Sequence, residues 1–421
     1  MAPTLPQLRL ALRRVVRRMR FRATVYALFG MGAALLGALV RPWIPDGVAG
    51  IAGADSVGNL LTILASSMLA VTTFSLSIMV AAYASASSGA TPRATRLLIA
   101  DSSAQSALAT FIGAFLFSVV GLIALSTGLY GDGGRVVLFA ATVLVIALIT
   151  LTLLRWIDQL SSFGRVGATI QLVEDATAKA IRAHLRDPWL GGAPGARDVQ
   201  AGAQPVAAGG VGYVEHVDVE RLSVLASQAG GVVHVAIRPG GLASPGRPLA
   251  WYDGPGFDRA LADGVRSAFT LGTQRSFEQD PRFGFVVLAE IGSRALSTAT
   301  NDPGTAIDVL VTVTRLLCGW AGAGSAPTEP RHPRVFVPPV DVPDVFEDVF
   351  PQLARDGAGL LEIGIHLQKT LAAVASCGHP AFAEAARVHA GHALARGLAA
   401  IDFEPDRDAL LRSIPRLPES A

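Results

Sequence analysis

The chain has 421 residues, of which 51% are hydrophobic and only 16% charged, too apolar for a soluble protein of this length, so the excess is expected in discrete membrane spans. Its net charge of +2 carries little information; lysine occurs only at Lys179 and Lys369, neither after a glycine, which excludes a phosphate-binding P-loop. Two cysteines, Cys318 and Cys377, are too few for a disulfide framework and read as reduced thiols of a cytosolic domain.

Residues 1–22 predict a basic amphipathic helix with Leu8, Leu12, Val15, Val16 and Met19 on one face and Arg9, Arg13, Arg17 and Arg20 on the other. Such a helix can lie in anionic headgroups, each Arg contributing about 1 kcal/mol, or serve as a plain positive-inside flank. A four-helix transmembrane domain is expected over 23–156, with spans at about 23–40, 60–82, 104–129 and 136–154. The first is read as an uncleaved anchor. No span contains Asp, Glu, Lys, Arg or His, which counts against a proton relay or an ion-coupled carrier.

The second span is the most polar. At 100° per residue Asn59, Thr62, Ser66, Thr73 and Ser77 fall within an arc of about 60°. This stripe could solvate a pore or act as interhelical hydrogen-bond glue. A polar loop is expected over 84–103. Gly30, Ala34, Gly37, Gly113 and Gly121 would permit close helix contact. Seven arginines between Arg9 and Arg22, then Arg93 and Arg96, outnumber Arg41 and Arg135 in the other loops. The positive-inside rule therefore puts both termini in the cytoplasm of a multi-pass inner-membrane protein.

Beyond the spans, a helix over 157–188 continues from the fourth span and stops at Pro188. A Gly, Ala and Pro-rich linker follows at 189–210, then a small β module at 211–252, where the hydrophobic period changes to two. A helical segment over 258–321, a Pro-rich connection over 323–343 and C-terminal helices over 344–414 complete the chain. The fold class is an integral membrane α-helical protein with a cytoplasmic α+β region. In the β module, IRPGGLASPGRPLAW resembles half of a biotinyl or lipoyl-type barrel. No lysine lies between Val211 and Tyr252, so a carrier function is excluded.

The densest polar pattern is Gly272, Arg275, Ser276, Glu278, Gln279, Asp280, Phe283 and Gly284. It is followed by Arg294, Ala295, Leu296 and Ser297, and then by Asn301, Asp302, Pro303, Thr305 and Ala306. This order resembles the bacterial membrane-protein family catalogued as domain of unknown function 2254. The family also shows a motif like S-S-Q-F-S-P-R after the second span. This chain has Ser87, Ser88, Gly89, Ala90, Thr91, Pro92 and Arg93 there, without the Gln and Phe. The resemblance implies four spans before a cytoplasmic domain and carries no established activity.

From the residues themselves, Asp302 and Pro303 read as a helix N-cap followed by Pro at the first helical position, and Glu290 and Arg294 as an i, i+4 pair. The competing reading is a ligand or partner site built from Glu278, Asp280, Arg282, Asn301, Asp302 and Asp308. Its carboxylates could hold a divalent cation, although their spacing matches no known metal loop. Cys377, His379, His389 and His392 are weak metal candidates beside a reading as surface or interface residues. No H-E-x-x-H, G-x-S-x-G or G-x-G-x-x-G pattern occurs, so no catalytic residue, cofactor or enzymatic activity is assigned. Without a basic patch interleaved with aromatics in the soluble part, nucleic acid is not an expected partner. Two function classes remain: an oligomeric channel-like or solute-permeation protein with a cytoplasmic regulatory domain, and a membrane-anchored sensor or scaffold without transport.

Overall fold

A computed structural model describes residues 19–39, 54–99, 102–128, 131–162, 164–195, 202–324 and 329–414. The arginine cluster from Arg9 to Arg18, the end of the first expected span with the loop after it, and 196–201 of the expected linker lie outside the described residues. The chain divides into two units, Met1–Ser88 with Thr95–Ala168, and Gly89–Ala94 with Thr169–Ala421.

The first unit is helical. Its elements are α1 (Met19–Leu39), α2 (Ala54–Gly89), most of α3 (Pro92–Ile99), α4 (Ser102–Ser126), α5 (Gly131–Ser162) and the start of α6 (Val166–Arg186). Among the described residues four helices are long and apolar enough to cross a membrane: Ser56–Gly89, Ala104–Ser126, Gly134–Leu160 and Pro303–Ala321. Ala23–Leu35 is a shorter apolar helix. The list differs from the sequence expectation in one member. Pro303–Ala321 is apolar because it is a core helix of the second unit, where it buries Val309, Val313 and Leu317 and ion-pairs its outward Arg315 with Glu174. Helix α2 has 36 residues, about 54 Å at 1.5 Å per residue and longer than a hydrocarbon core of about 30 Å. It continues through the start of the expected polar loop because no proline occurs between Pro45 and Pro92.

Close packing in this unit rests on small residues. Helices α1 and α4 cross where a side chain on Gly30 would overlap the carbonyl of Gly113, and a Cβ on Gly113 would lie 2.9 Å from the Tyr26 carbonyl oxygen. Backbones can approach this closely only without side chains between them. Gly113→Val should therefore lower the stability of the detergent-solubilised chain by about 1–3 kcal/mol, read as a fall in melting temperature. A Val variant that melts like the parent would mean that the crossing does not hold there. Helix α2 packs through Val57, Leu61, Leu64, Met68 and Met79, and its buried Ser75 accepts a hydrogen bond of 3.1 Å from Trp156 Nε1 on α5.

The second unit begins on α6 and continues as β1 (Gly192–Pro194), β2 (Gln204–Ala207), β3 (Gly212–Val217), α7 (Val219–Ala229), β4 (Val232–Val235), β5 (Leu242–Ala243), β6 (Pro248–Asp253), α8 (Arg259–Ser267) and β7 (Phe269–Gly272). Then come α9 (Phe283–Ala295), α10 (Pro303–Ala321), β8 (His332–Val337), α11 (Val342–Glu347), α12 (Phe350–Asp356), α13 (Leu361–Ala375), α14 (Pro380–Ala400) and α15 (Glu404–Arg412). Five strands form a sheet in the order β1-β8-β4-β6-β2, and three form another in the order β5-β3-β7. In the first, β8 runs parallel to both β1 and β4, whereas β4–β6 and β6–β2 are antiparallel.

Strands β1 and β2 therefore come from the stretch read as a linker, and β8 from the stretch read as a Pro-rich connection. Their glycines and prolines mask a short strand when composition is read locally, because the partners that pair them lie far along the chain. Val233, Val235, Leu249, Tyr252, Val335 and Val337 fill the sheet core against Leu222 and Val265 of α7 and α8. In the helical part, Phe285, Trp320, Phe346 and Phe382 form an aromatic cluster with ring centroids 5.9–6.2 Å apart.

Candidate functional site

The motif loop between β7 and α9, residues 273–282, has no regular structure and is held by its own side chains. Gln279 Oε1 accepts the Val217 N–H at 3.0 Å, at the end of β3. Asp280 is buried, and Arg275 clamps its carboxylate with Nε at 2.7 Å and Nη2 at 3.1 Å. The same carboxylate accepts the Arg282 N–H at 3.1 Å, the turn chemistry that Asp-Pro favours. The Arg275 guanidinium also lies 5.4 Å above the Phe283 ring. Gly240 has φ +93° and a Cβ there would overlap the Asp280 carboxylate, so only glycine fits at that contact.

Arg282 reaches the other way. It bonds Asp348 through Nε at 2.7 Å and Asp344 through Nη1 at 2.5 Å, joining the loop to α11 and the residue that follows it. Burial alone would lower its guanidinium, but the bonds to Asp348 and Asp344 outweigh burial and raise it. The cost of burial falls on Asp348, whose carboxyl is pushed up. The loop is thus braced internally by Arg275–Asp280, tied to β3 by Gln279 and to the C-terminal helices by the Arg282 ion pairs.

A cavity of about 580 Å³ opens beside this network, lined by Arg238, Gly240, Arg247, Trp251, Asp280 and Arg282 among others. A second, of about 510 Å³, is lined by His184, Asp187, Arg238, Glu278 and Arg331. Arg238 and Pro281 belong to both walls. The Arg238 guanidinium donates to the carbonyl oxygens of Pro188, at 3.2 Å, and of Pro338, and burial lowers it to about 10. In the second cavity, burial with Arg238 nearby holds His184 down to about 4, a neutral imidazole packed edge-on to Trp320.

The six residues read as a ligand site divide into two groups. Glu278, Asp280 and Arg282 line the cavities. Asn301, Asp302 and Asp308 do not line either one. Asn301 takes a left-handed φ of 49° in the turn between α9 and α10, a conformation that Asn tolerates. Asp302 caps α10 by accepting from Thr305 N at 3.1 Å and Thr305 Oγ1 at 2.6 Å, and Asp308 is exposed on the same helix. The acidic set therefore forms no common cation site, because Asp280 is taken by Arg275 and the others lie elsewhere.

Other expectations are corrected. Glu290 does not turn to Arg294. It accepts from Thr91 Oγ1 at 3.0 Å and ion-pairs with Arg93, so Gly89–Ala94, which holds the part of the S-S-G-A-T-P-R segment that belongs to the second unit, packs on the motif helix. Cys377 is disulfide-bonded to Cys318, with Cα atoms 5.6 Å apart, and neither is a free thiol. His379 precedes α14 and packs on Phe382, whereas His389 lies between Phe346 and Phe350 with its imidazole lowered by burial. Among the described residues no three His, Cys, Asp or Glu side chains come together as a metal site. Sequence reading passed over Arg238 and Arg247; the signal was present in the paired R-P-G and G-R-P turns of the β module.

In the first unit, Asn59, Thr62, Ser66, Thr73 and Ser77 are all exposed and lie roughly opposite the packed face of α2 on a helical wheel. The hydroxyls of Thr62, Ser66, Thr73 and Ser77 donate to the carbonyls of Gly58, Thr62, Leu69 and Thr73 at 2.9–3.0 Å. They bond their own helix, so they are not glue between helices of one chain.

Long apolar helices joined to a unit of mixed sheet and packed helices, with a charged loop at its centre, are the makeup of a membrane protein with an attached α+β domain. The chain belongs to the family described as predicted membrane protein (DUF2254), which it matches over residues 17–373. It is 26% identical over 273 residues to an uncharacterised protein of Mycobacterium bovis and to one of Mycobacterium tuberculosis strain H37Rv, covering 60% of this chain and 50% of each relative. The chain thus spans about half the length of the curated relatives it matches. No solved structure matches.

Proposed function

We propose that copies of this chain associate in the inner membrane, with both termini in the cytoplasm, as a channel-like protein that passes a solute along the α2 stripe and is regulated by its second unit. The arginines of 1–22 hold anionic headgroups in this reading, and no catalytic step is assigned. The observation that carries it is the placement of the stripe. From Asn59 to Ser77 it runs about 27 Å at 1.5 Å per residue, close to the thickness of a hydrocarbon core, without a charge and directed away from the chain's own packed face. Facing a shared aqueous path, hydroxyls already bonded to the backbone keep their lone pairs for water or a solute.

In planar bilayers the purified protein should conduct, and Ser66→Leu or Thr73→Leu should change that conductance at least severalfold while leaving the oligomer intact. An intact oligomer that passes neither ion nor small solute would sink the reading. It would favour the second one, a membrane-anchored sensor or scaffold. That alternative is supported by the same hydrogen bonds, since self-bonded hydroxyls can also face lipid at little cost.

A further inference from the structure

The cavity beside the motif loop contains four arginines, and they are not equivalent. Arg282 is neutralised by Asp344 and Asp348, and Arg275 by Asp280. Among the described residues Arg238 hydrogen-bonds only to the neutral carbonyls of Pro188 and Pro338; Asp280 and Asp187 act on its charge from a distance, and no carboxylate is in contact with it. Arg247 is exposed at the same cavity and makes no side-chain hydrogen bond or ion pair among the described residues. Both come from the β module, Arg238 just after β4 and Arg247 just before β6, so the sheet fixes their spacing.

The backbone adds no competing anion cradle. Gly240 N–H is taken by the Val214 carbonyl at 2.8 Å and Gly241 N–H by the Arg238 carbonyl at 3.0 Å. Recognition of an anion therefore falls to the guanidinium groups. Trp251, Pro338 and Pro339 supply apolar wall beside them. A volume of about 580 Å³ suits a metabolite-sized ligand and exceeds what an inorganic ion alone would fill.

We propose that this cavity binds a small molecule bearing a phosphate group, with the phosphate between Arg238 and Arg247 and the remainder against Trp251 and the two prolines. Two guanidiniums without a carboxylate in ion-pair contact suit a dianion, and the planar fork suits phosphate oxygens. An anion in contact would favour the charged guanidinium and offset the burial that lowers Arg238. The same ion-pair assignments argue against a divalent cation here, because Asp280 and Asp344, two of the three carboxylates that line the cavity with Asp341, already have their arginines.

The test uses the full chain in detergent and in nanodiscs, with pyrophosphate and AMP as probes and adenosine as the neutral control. Calorimetric titration should give saturable binding of pyrophosphate or AMP and none of adenosine. Arg247→Gln should raise the Kd roughly tenfold or more while leaving the melting temperature of the unliganded protein unchanged, since Arg247 supports nothing else. Arg238→Lys keeps the charge and loses the fork, so it should also weaken binding; if it fails to fold, Arg247→Gln still decides. A phosphate borne by a lipid headgroup is distinguished by nanodiscs. If phosphatidylglycerol raises the melting temperature over phosphatidylcholine, and Arg247→Gln abolishes that rise with no soluble phosphate bound, the site takes the phosphate of a lipid. Equal binding by Arg247→Gln, or no phosphate-dependent signal from either source, overturns the proposal.

Discussion

Asp280→Ala should destabilise the second unit by about 3–5 kcal/mol, because it leaves the part-buried Arg275 without its carboxylate and removes an anion that favours the charged Arg238. Asp280 is 2% exposed, so solvent cannot replace the lost partner. Domains are stable by only about 5–15 kcal/mol, so the loss is a large part of the total. Melting followed by circular dichroism in detergent would show it as a fall of roughly 6–20 °C. Asp280→Ala combined with Arg275→Met should lose less than the sum of the single changes, since the second removes the stranded charge. A single Asp280 variant within about 0.5 kcal/mol of the parent would show that the pair carries no stability. Strict additivity would show that the two residues do not interact.

Reduction of Cys318–Cys377 should cost about 2–4 kcal/mol. The bond joins α10 to the residue two beyond α13 across a sequence separation of 59, and a loop of that length restricts the unfolded chain by about 4 kcal/mol on the entropic account. Melting with and without reductant should differ by roughly 4–16 °C, and Cys318→Ser should melt like the reduced parent and no longer respond to reductant. Two titratable thiols in the native, unreduced protein would contradict the pairing. The bond replaces the expectation of free cytosolic thiols and makes the stability of the second unit depend on the redox poise around it.

The apolar helices and the composition-driven divide between the two units were legible because long uncharged runs and period changes are local signals. The cap at Asp302 and Pro303 was legible for the same reason, and so was the importance of the segment around Asp280. What Asp280 does was not. Its partner Arg275 is close in sequence, yet the glycine it rests against, Gly240, is 40 positions earlier. Arg282 similarly finds Asp344 and Asp348 more than 60 residues away, and Glu290 finds Thr91 at a separation of 199. No spacing rule reaches that far, which is why Glu290 was assigned to Arg294 on its own helix. Cysteine counting failed similarly, since a count sets the possible number of bridges and says nothing about proximity. The stripe on α2 was found from periodicity alone, but its direction depends on which face the neighbouring helices cover.

The order of strands in the larger sheet also sets a timetable for synthesis. Strand β8 lies between β1 and β4, yet it emerges roughly 100 residues after β4 ends. At about 5–20 residues per second, the Val-rich edge of β4 waits on the order of 5–20 s, and β1, made earlier, about 7–28 s, for the strand that pairs with both. Through that interval the nascent chain presents an open strand edge, the feature most readily captured by another chain. The larger sheet is therefore completed only when translation has passed Val337.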